Sequence, residues 1–358
     1  MKILIIAGGT GGHIFPALTV AEKLQSQGVA IEWLGAEVGM ERQLVGNRYP
    51  IYFLPIKALR GKRFLAKCAA PFRIAYSIFL AYRLIKKINP DAVLGMGGYA
   101  SGPGGVAAWL RRIPLVIHEQ NAKAGLTNRL LSRIATTILQ AFPQAFLNNA
   151  RAMTVGNPVR ENILTVMPEK KFDDHTPRHI LVLGGSQGAQ SINQLITQWL
   201  AQANYSMPLI FWHQTGQRDF ELVKNGYANH SGALYRVMPF IDNMQEAYAW
   251  ADAVICRAGA LTVSELAAAG VPGIFIPYPY AADDHQRANA LFLVNAQAGV
   301  MILESELSVK KLSECLDNLL SSPRQWQQMA LNAKACAMPD AVNQMIIYCK
   351  RAARNNLC

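Results

Sequence analysis

Three glycine-rich stretches and a few polar residues carry whatever chemistry this chain of 358 residues performs. Gly8–Gly12 follows the apolar run KILIIA, Gly184–Gly188 follows HILVLG, and GMGGYASGPGG at 95–105 follows DAVL. A glycine turn between a strand and a helix lets backbone N–H groups approach an anion at the helix N-terminus, so each stretch reads as a phosphate loop. For any one of them the competing reading is a tight turn that needs positive φ. Repetition of the same strand–glycine–helix pattern favours phosphate. It is not the dinucleotide fingerprint, because the third glycine position counted from Gly9 is Ile14. Nor is it a P-loop, since no Gly-Lys-Ser/Thr follows either loop.

His13 stands directly after the first loop, where a helix is expected to begin. A helix N-terminus disfavours the imidazolium, so the ring is biased toward the neutral, proton-accepting form of a general base. A satisfied structural histidine is the plainer alternative. The tetrad His118-Glu119-Gln120-Asn121 follows the apolar LVI, at the carboxyl end of a strand where ligands bind in open α/β sheets. Four consecutive polar residues there are hard to explain as packing. In the passage Cys256–Glu265, Glu265 is expected just inside a helix, either as a first-turn acid or as a carboxylate accepting two ribose hydroxyls. Asp283-Asp284-His285-Gln286 follows Pro277-Tyr278-Pro279 and precedes a helix expected over Ala288–Gln297. Metal chemistry has little to stand on. There is no Asp-x-Asp, His175 and His179 flank Pro177, and Asp283-Asp284-His285 is the residual candidate. A diphosphate leaving group would then be stabilised by the protein's own dipoles.

The elements that must position these residues alternate between β and α signals. Apolar runs at Lys2–Ala7, Ile31–Leu34, Ile51–Leu54, Ala92–Gly95, Leu115–Ile117 and Thr136–Leu139 form one series. A second runs through His179–Leu183, Leu209–Trp212, Leu234–Val237, Ala253–Cys256, Gly273–Ile276 and Gly299–Leu303. Helix-period stretches lie between them, such as Pro16–Gln27, Ile192–Gln202 and Leu261–Ala269, the last closed by Gly270. Continuous apolar strands alternating with helices predict parallel sheets covered on both faces, here in two doubly wound α/β domains facing across a cleft. The polar stretch Glu161–Arg178 separates the series, and Pro323–Cys358 is helical in composition.

Composition narrows the class. Hydrophobic residues make up 51% and charged ones 16%, which describes a folded chain, and no apolar run is long enough for a membrane span. The opening apolar run is too short for a signal peptide. The six cysteines show no CxxC pair, so reduced thiols are expected. Net charge is +12, and it is concentrated: the window Arg42–Lys87 holds Arg42, Arg48, Lys57, Arg60, Lys62, Arg63, Lys67, Arg73, Arg83, Lys86 and Lys87 with no acid at all. Such a segment suits an anionic surface, nucleic acid or acidic lipid. Phe64–Ile88 interleaves these charges with aromatics and aliphatics, the composition of a partly buried membrane-surface element with snorkelling basic stems. No nucleic-acid motif accompanies it.

Read in order, GGTGGHIFPAL, GMGGYASGPGG, IHEQNAKAGLTNR, GNPVR, LGGSQGAQSIN and CRAGALTVSELAAAGVP resemble the MurG family over essentially the whole chain. These are bacterial N-acetylglucosaminyltransferases that convert undecaprenyl-pyrophosphoryl-MurNAc-pentapeptide (lipid I) into lipid II for peptidoglycan. The resemblance implies a GT-B fold, an inverting transfer from UDP-GlcNAc without metal or cofactor, and peripheral attachment to the cytoplasmic face of the inner membrane. It implies an N-terminal acceptor and membrane domain over 1–157, a donor domain over 158–334, and a C-terminal helix, about 335–358, that packs back on the first domain. Donor-binding positions then fall on Thr10, Gly11, Gly12, Asn121, Arg160, Ser186, Ile241, Ala260, Leu261, Thr262, Val263, Ser264, Glu265 and Gln286. Arg160 and Ile241 take the uracil side and Glu265 the ribose. The general base is His13, with Glu119 as the second choice. Another GT-B lipid glycosyltransferase, a UDP-GlcNAc 2-epimerase, and a basic nucleic-acid-binding protein are the alternatives.

Overall fold

The computed structural model describes residues 1–56, 70–147, 149–166, 177–185, 188–202, 209–229, 234–320 and 322–355. Two compact units emerge, Met1–Val159 with Met338–Cys358, and Arg160–Ala337. In the first, β1 (Lys2–Ile6), α1 (Gly11–Ser26), β2 (Ala30–Ala36), α2 (Glu41–Leu44) and β3 (Ile51–Leu54) build one half. The other half is α3 (Ala70–Ile88), β4 (Ala92–Gly95), α4 (Ser101–Leu110), β5 (Leu115–Glu119), α5 (Leu126–Leu131), β6 (Thr137–Gln140) and β7 (Ala152–Thr154). All these strands pair in parallel in the order β3-β2-β1-β4-β5-β6-β7. The order reverses between β1 and β4, the switch point at which open α/β sheets bind ligands.

The second unit repeats this plan. It runs α6 (Glu161–Leu164), β8 (Arg178–Leu183), α7 (Gln190–Gln202), β9 (Leu209–Gln214), α8 (Phe220–Ala228), β10 (Leu234–Met238), α9 (Met244–Trp250) and β11 (Ala253–Cys256). It continues through α10 (Ala260–Ala269), β12 (Gly273–Phe275), α11 (His285–Asn295), β13 (Gly299–Met301), α12 (Val309–Leu320) and α13 (Pro323–Ala335). Its parallel sheet is ordered β10-β9-β8-β11-β12-β13, with the switch between β8 and β11. A final helix, α14 (Ala341–Asn355), belongs to the first unit. Met345, Ile346, Cys349, Ala352 and Ala353 on it join Ile14, Leu18 and Ala21 of α1 in one core cluster.

Strand β7 has no counterpart among the apolar runs, because Ala152-Met153-Thr154 is an edge strand with half its surface outside the core. Helix α1 begins five residues before the expected Pro16 and carries that proline inside. Lying in the second turn, Pro16 has no N–H to offer the Gly12 carbonyl, so that intrahelical bond is forgone. Gly270 closes α10 at φ 67°, the left-handed conformation that glycine adopts without a Cβ penalty.

Candidate functional site

At the first switch point, the loops after β1 and β4 interlock. Gly98 (φ 85°) lies so close to the backbone of Gly8 that a Cβ on it would overlap the Gly8 carbonyl. Gly97 (φ 92°) faces the His13 ring, and a Cβ there would come within 2.7 Å of Cδ2 and 3.0 Å of Nε2. His13 is thus in the first turn of α1, half-buried, its ring seated over the β4–α4 loop. Thr10 is the N-cap with no side-chain capping bond, while its carbonyl accepts from the N–H groups of His13 (3.1 Å) and Ile14 (3.3 Å). Gly12 is exposed, and a Cβ on it would meet only Thr10 Oγ1 at 3.7 Å. Glycines that read as phosphate loops therefore divide. Gly97 and Gly98 serve close packing as well as their positive φ, Gly104 and Gly105 make room for core side chains, and Gly12 has no intramolecular reason to lack a side chain.

The polar tetrad, which begins with the last two residues of β5, is accounted for by packing and internal hydrogen bonds, against the expectation that packing explains it poorly. His118, Glu119 and Gln120 are buried and bonded to one another and to their neighbours. His118 Nε2 meets the Gly156 carbonyl at 2.9 Å, and a carbonyl can only accept, so Nε2 carries the proton. Nδ1 then holds the lone pair and accepts from Gln120 Nε2 at 3.1 Å. Burial pushes the His118 pKa down to about 4, which keeps the ring neutral. Glu119 is equally committed. Its Oε1 accepts from Asn121 N (3.0 Å) and Asn121 Nδ2 (3.1 Å), and its Oε2 from Gly125 N (3.1 Å) and Asn128 Nδ2 (2.9 Å). Four donors occupy the lone pairs that a base would need. Glu119 is the tie that shapes the loop 119–128, and Asn121 is held through it.

A depressed histidine pKa has a measurable consequence. The unfolded chain protonates His118 near 6.5 while the folded one resists until about 4. Its contribution is full above pH 6.5 and is lost as pH falls toward 4, about 3 kcal/mol in all. A His118→Gln variant is expected to be less stable at neutral pH but to lose less further stability between pH 6.5 and 4. Thermal unfolding across that range checks it, and parallel curves would refute the assignment.

In the second unit, the loops after β8 and β11 flank the equivalent switch point. Gly188 (φ 78°) abuts the Thr215 carbonyl, and Gln214 bridges the loop, donating to Gly185 O (2.9 Å) and accepting from Ile241 N (2.9 Å). Ile241 is buried, with its N–H committed to Gln214. Beneath lies a network in which His213 meets Asn193 Oδ1 at 3.0 Å and Tyr227 Oη at 3.2 Å, its pKa driven down to about 3 by burial.

Helix α10 starts at Ala260 after N-cap Gly259, which supplies no side chain to the first turn. Ala260, Leu261, Thr262 and Ser264 are half-buried on its first two turns, whereas Val263 is core and could reach a ligand only through its backbone. Glu265 lies in the second turn, so the first-turn-acid reading fails. It is buried, its Oε2 accepts from Tyr248 Oη at 2.9 Å, and its Oε1 faces Arg160 at 3.5 Å. Desolvation raises its pKa, opposed by Arg160 and by the Tyr248 hydrogen bond. Gln286 accepts from Tyr278 N at 2.9 Å with its side-chain oxygen, leaving the amide group to donate. Arg257 pins this region: it donates to Ile276 O (3.0 Å), Pro277 O (3.2 Å) and Ser191 Oγ (2.8 Å) and pairs with Glu304. Asp283 and Asp284 are exposed at φ 53° and 57°, and among the described residues no group of three or more His, Cys, Asp or Glu is placed to hold a metal ion.

Ser186 lies outside the described residues, as does His175. Sequence reading missed Gln214 and Tyr248, which hold other residues and sit in no motif, and gave Arg257 no role although it lies in the motif CRAGALTVSELAAAGVP.

Two parallel doubly wound units with glycine loops at the switch points are the architecture of the GT-B fold, and the family matches make the class a glycosyltransferase. Models of the glycosyltransferase family 28 N-terminal domain and C-terminal domain match residues 3–140 and 179–345, and the chain belongs to this family. It is 48% identical over 352 residues, 98% of each chain, to the UDP-N-acetylglucosamine–N-acetylmuramyl-(pentapeptide) pyrophosphoryl-undecaprenol N-acetylglucosamine transferase of Coxiella burnetii. The crystal structure of Acinetobacter baumannii MurG superposes with a TM-score of 0.85 at 40% identity, covering 98% of this chain and 99% of that one. A Neisseria meningitidis UDP-GlcNAc 2-epimerase bound to UDP-GlcNAc shares the fold alone, at 13% identity and a TM-score of 0.67 over 98% of this chain and all of its own (100%).

Proposed function

We propose that this chain transfers N-acetylglucosamine from UDP-GlcNAc to undecaprenyl-pyrophosphoryl-MurNAc-pentapeptide, with inversion and without a divalent metal. The observation that carries the reading is near-full-length identity of 48% to a relative named for that transfer. His13 accepts the proton of the attacking sugar hydroxyl as its oxygen bonds to the anomeric carbon, and UDP leaves with the electron pair of the broken bond. Arg160, Ile241, Glu265 and Gln286 bind the nucleotide, with Glu265 on the ribose. Backbone N–H groups at the start of α10 support the diphosphate. Radiolabelled transfer from UDP-GlcNAc to a lipid I analogue in EDTA tests this. Turnover that vanishes in EDTA and returns with Mg²⁺ overturns the metal-free part, and no transfer under either condition overturns the whole.

Attachment to an anionic bilayer, the cytoplasmic leaflet of the inner membrane, completes the proposal, with the first unit serving acceptor and membrane. No helix among the described residues is long and apolar enough to cross a membrane. Phe72, Tyr76 and Phe79 are nevertheless 80%, 57% and 53% exposed on α3, at spacings that put them on one face. Exposed Arg83 and Lys86 continue that stripe, with Arg73 and Lys87 beside it. Ala81, Ile85 and Ile88 turn inward to the core. Of the remaining basic window, Arg48 pairs with Glu22 at 2.6 Å and Arg42 covers the Phe53 ring, while Lys57, Arg60, Lys62, Arg63, Phe64, Leu65 and Lys67 lie outside the described residues. Each basic group near an anionic leaflet contributes about 1 kcal/mol. Changing Arg73, Arg83, Lys86 and Lys87 to Gln is expected to release the protein from anionic vesicles and to lower turnover on membrane-embedded acceptor. Turnover on a short-chain soluble acceptor stays near normal, and equal loss on both acceptors would sink the membrane role.

A further inference from the structure

Glu41 has no place in the reading above, yet it is among the most enclosed acids in the first unit. Its side chain is fully buried, and Oε1 accepts from Gly9 N at 2.8 Å and from Ala36 N at 3.2 Å. Oε2 is buried too and has no hydrogen-bond partner among the described residues. Gly8, Gly35 and Gly39 enclose this carboxylate, and a Cβ on Gly8 or Gly39 would overlap its oxygens while one on Gly35 would press on Cγ at 3.1 Å. None of the three has positive φ. Their lack of a side chain answers to the volume of Glu41, not to backbone conformation.

Burying a carboxylate is costly unless hydrogen bonds compensate it, and an apolar residue of that size would fill the cradle without an orphaned oxygen. What an apolar residue could not do is take the Gly9 N–H. That donor is the one a phosphate loop would offer to an anion, and here an internal carboxylate already holds it. Gly9 (φ 95°) leads directly into Thr10, whose carbonyl accepts from the N–H of His13. One hydrogen bond to Glu41 therefore fixes the turn from which the His13 helix springs, while Gly97 abuts the His13 ring and Gly98 the Gly8 backbone.

We propose that Glu41 is a positioning residue for His13, locking the β1–α1 turn through the Gly9 N–H. The inference rests on the reading of His13 as base. A displacement of about 1 Å at a reacting group can cost roughly 10²-fold in rate. Glu41→Ala is accordingly expected to lower kcat by roughly that factor with UDP affinity unchanged, and Glu41→Gln, whose amide oxygen can accept both N–H groups, should restore kcat to within a few-fold. Glu41→Asp retains the charge but falls one methylene short of Gly9, so it should behave like Ala, and it serves if the Ala variant fails to fold. Normal kcat in Asp or Ala overturns the proposal, as does a Gln variant as impaired as Ala. UDP affinity falling in step with kcat and Tm would mark a merely structural residue and overturn it as well. Combining each variant with His13→Ala separates the two readings. Losses that fail to add support a route through His13, and additive losses refute it. Unimpaired His13→Ala turnover would instead remove the base reading itself.

Discussion

His13→Ala is expected to lower kcat by roughly 10²–10⁴-fold while UDP binds as before. The magnitude is that of a positioned general base, and the selectivity follows from where the ring sits. It rides the first turn of α1, against a glycine whose Cβ it would strike, in the unit that does not contain Arg160 or Glu265. Pre-steady-state turnover and calorimetry with UDP check both halves. If affinity for UDP collapses while kcat survives, the histidine is structural. Glu119 offers the contrast. With four donors on two oxygens, Glu119→Gln turns an NH₂ group toward at least one of them, so its expected result is a lower Tm and a distorted loop at 119–128.

How much of this was legible in the sequence depends on whether a residue acts alone or through another. Both sheets could be read from apolar runs alternating with helix-period stretches, since parallel strands are apolar on both faces and give an unbroken signal. The edge strand at Ala152–Thr154 could not, because only one face of it needs to be apolar. Glycines were legible as special and ambiguous as to why. Gly8 yields to the Glu41 side chain 33 residues further on, and Gly97 to a histidine ring from the first turn of α1. Neither cause exists until the chain is folded. The tetrad at 118–121 shows the same limit in polar form: its pattern suggested exposure to a ligand, whereas partners at Gly156, Gly125 and Asn128 absorb most of its hydrogen-bonding capacity internally. Glu265 was found by motif, but Tyr248, which fixes its Oε2, belongs to a helix with no motif.

Glu265→Ala is expected to weaken UDP itself by roughly 10–100-fold, not only UDP-GlcNAc, because charge-assisted hydrogen bonds of about 1.5–3 kcal/mol are lost. With Oε2 held by Tyr248, Oε1 is the oxygen left for a ribose hydroxyl, and Arg160 stands 3.5 Å from it. The pH dependence has a definite sign. Burial raises the Glu265 pKa, so the carboxylate that accepts the ribose is lost on acidification at a higher pH than an ordinary glutamate would require. Tyr248→Phe removes a donor that favours the charged form, moving that loss higher still. Glu265→Gln has no such titration, and UDP affinity in that variant should be weak and flat with pH. Folding responds in the opposite sense. A carboxyl whose pKa is raised in the folded state supports stability below its unfolded pKa and loses that support as pH rises through the folded value. At neutral pH and above, Glu265→Gln is therefore expected to raise Tm while it weakens UDP binding. Calorimetry with UDP and thermal unfolding on the same variants read both quantities. Unchanged UDP affinity in Glu265→Ala would refute the ribose role, and a fall in Tm for Glu265→Gln at neutral pH would refute the claim that the buried charge is a burden on the fold.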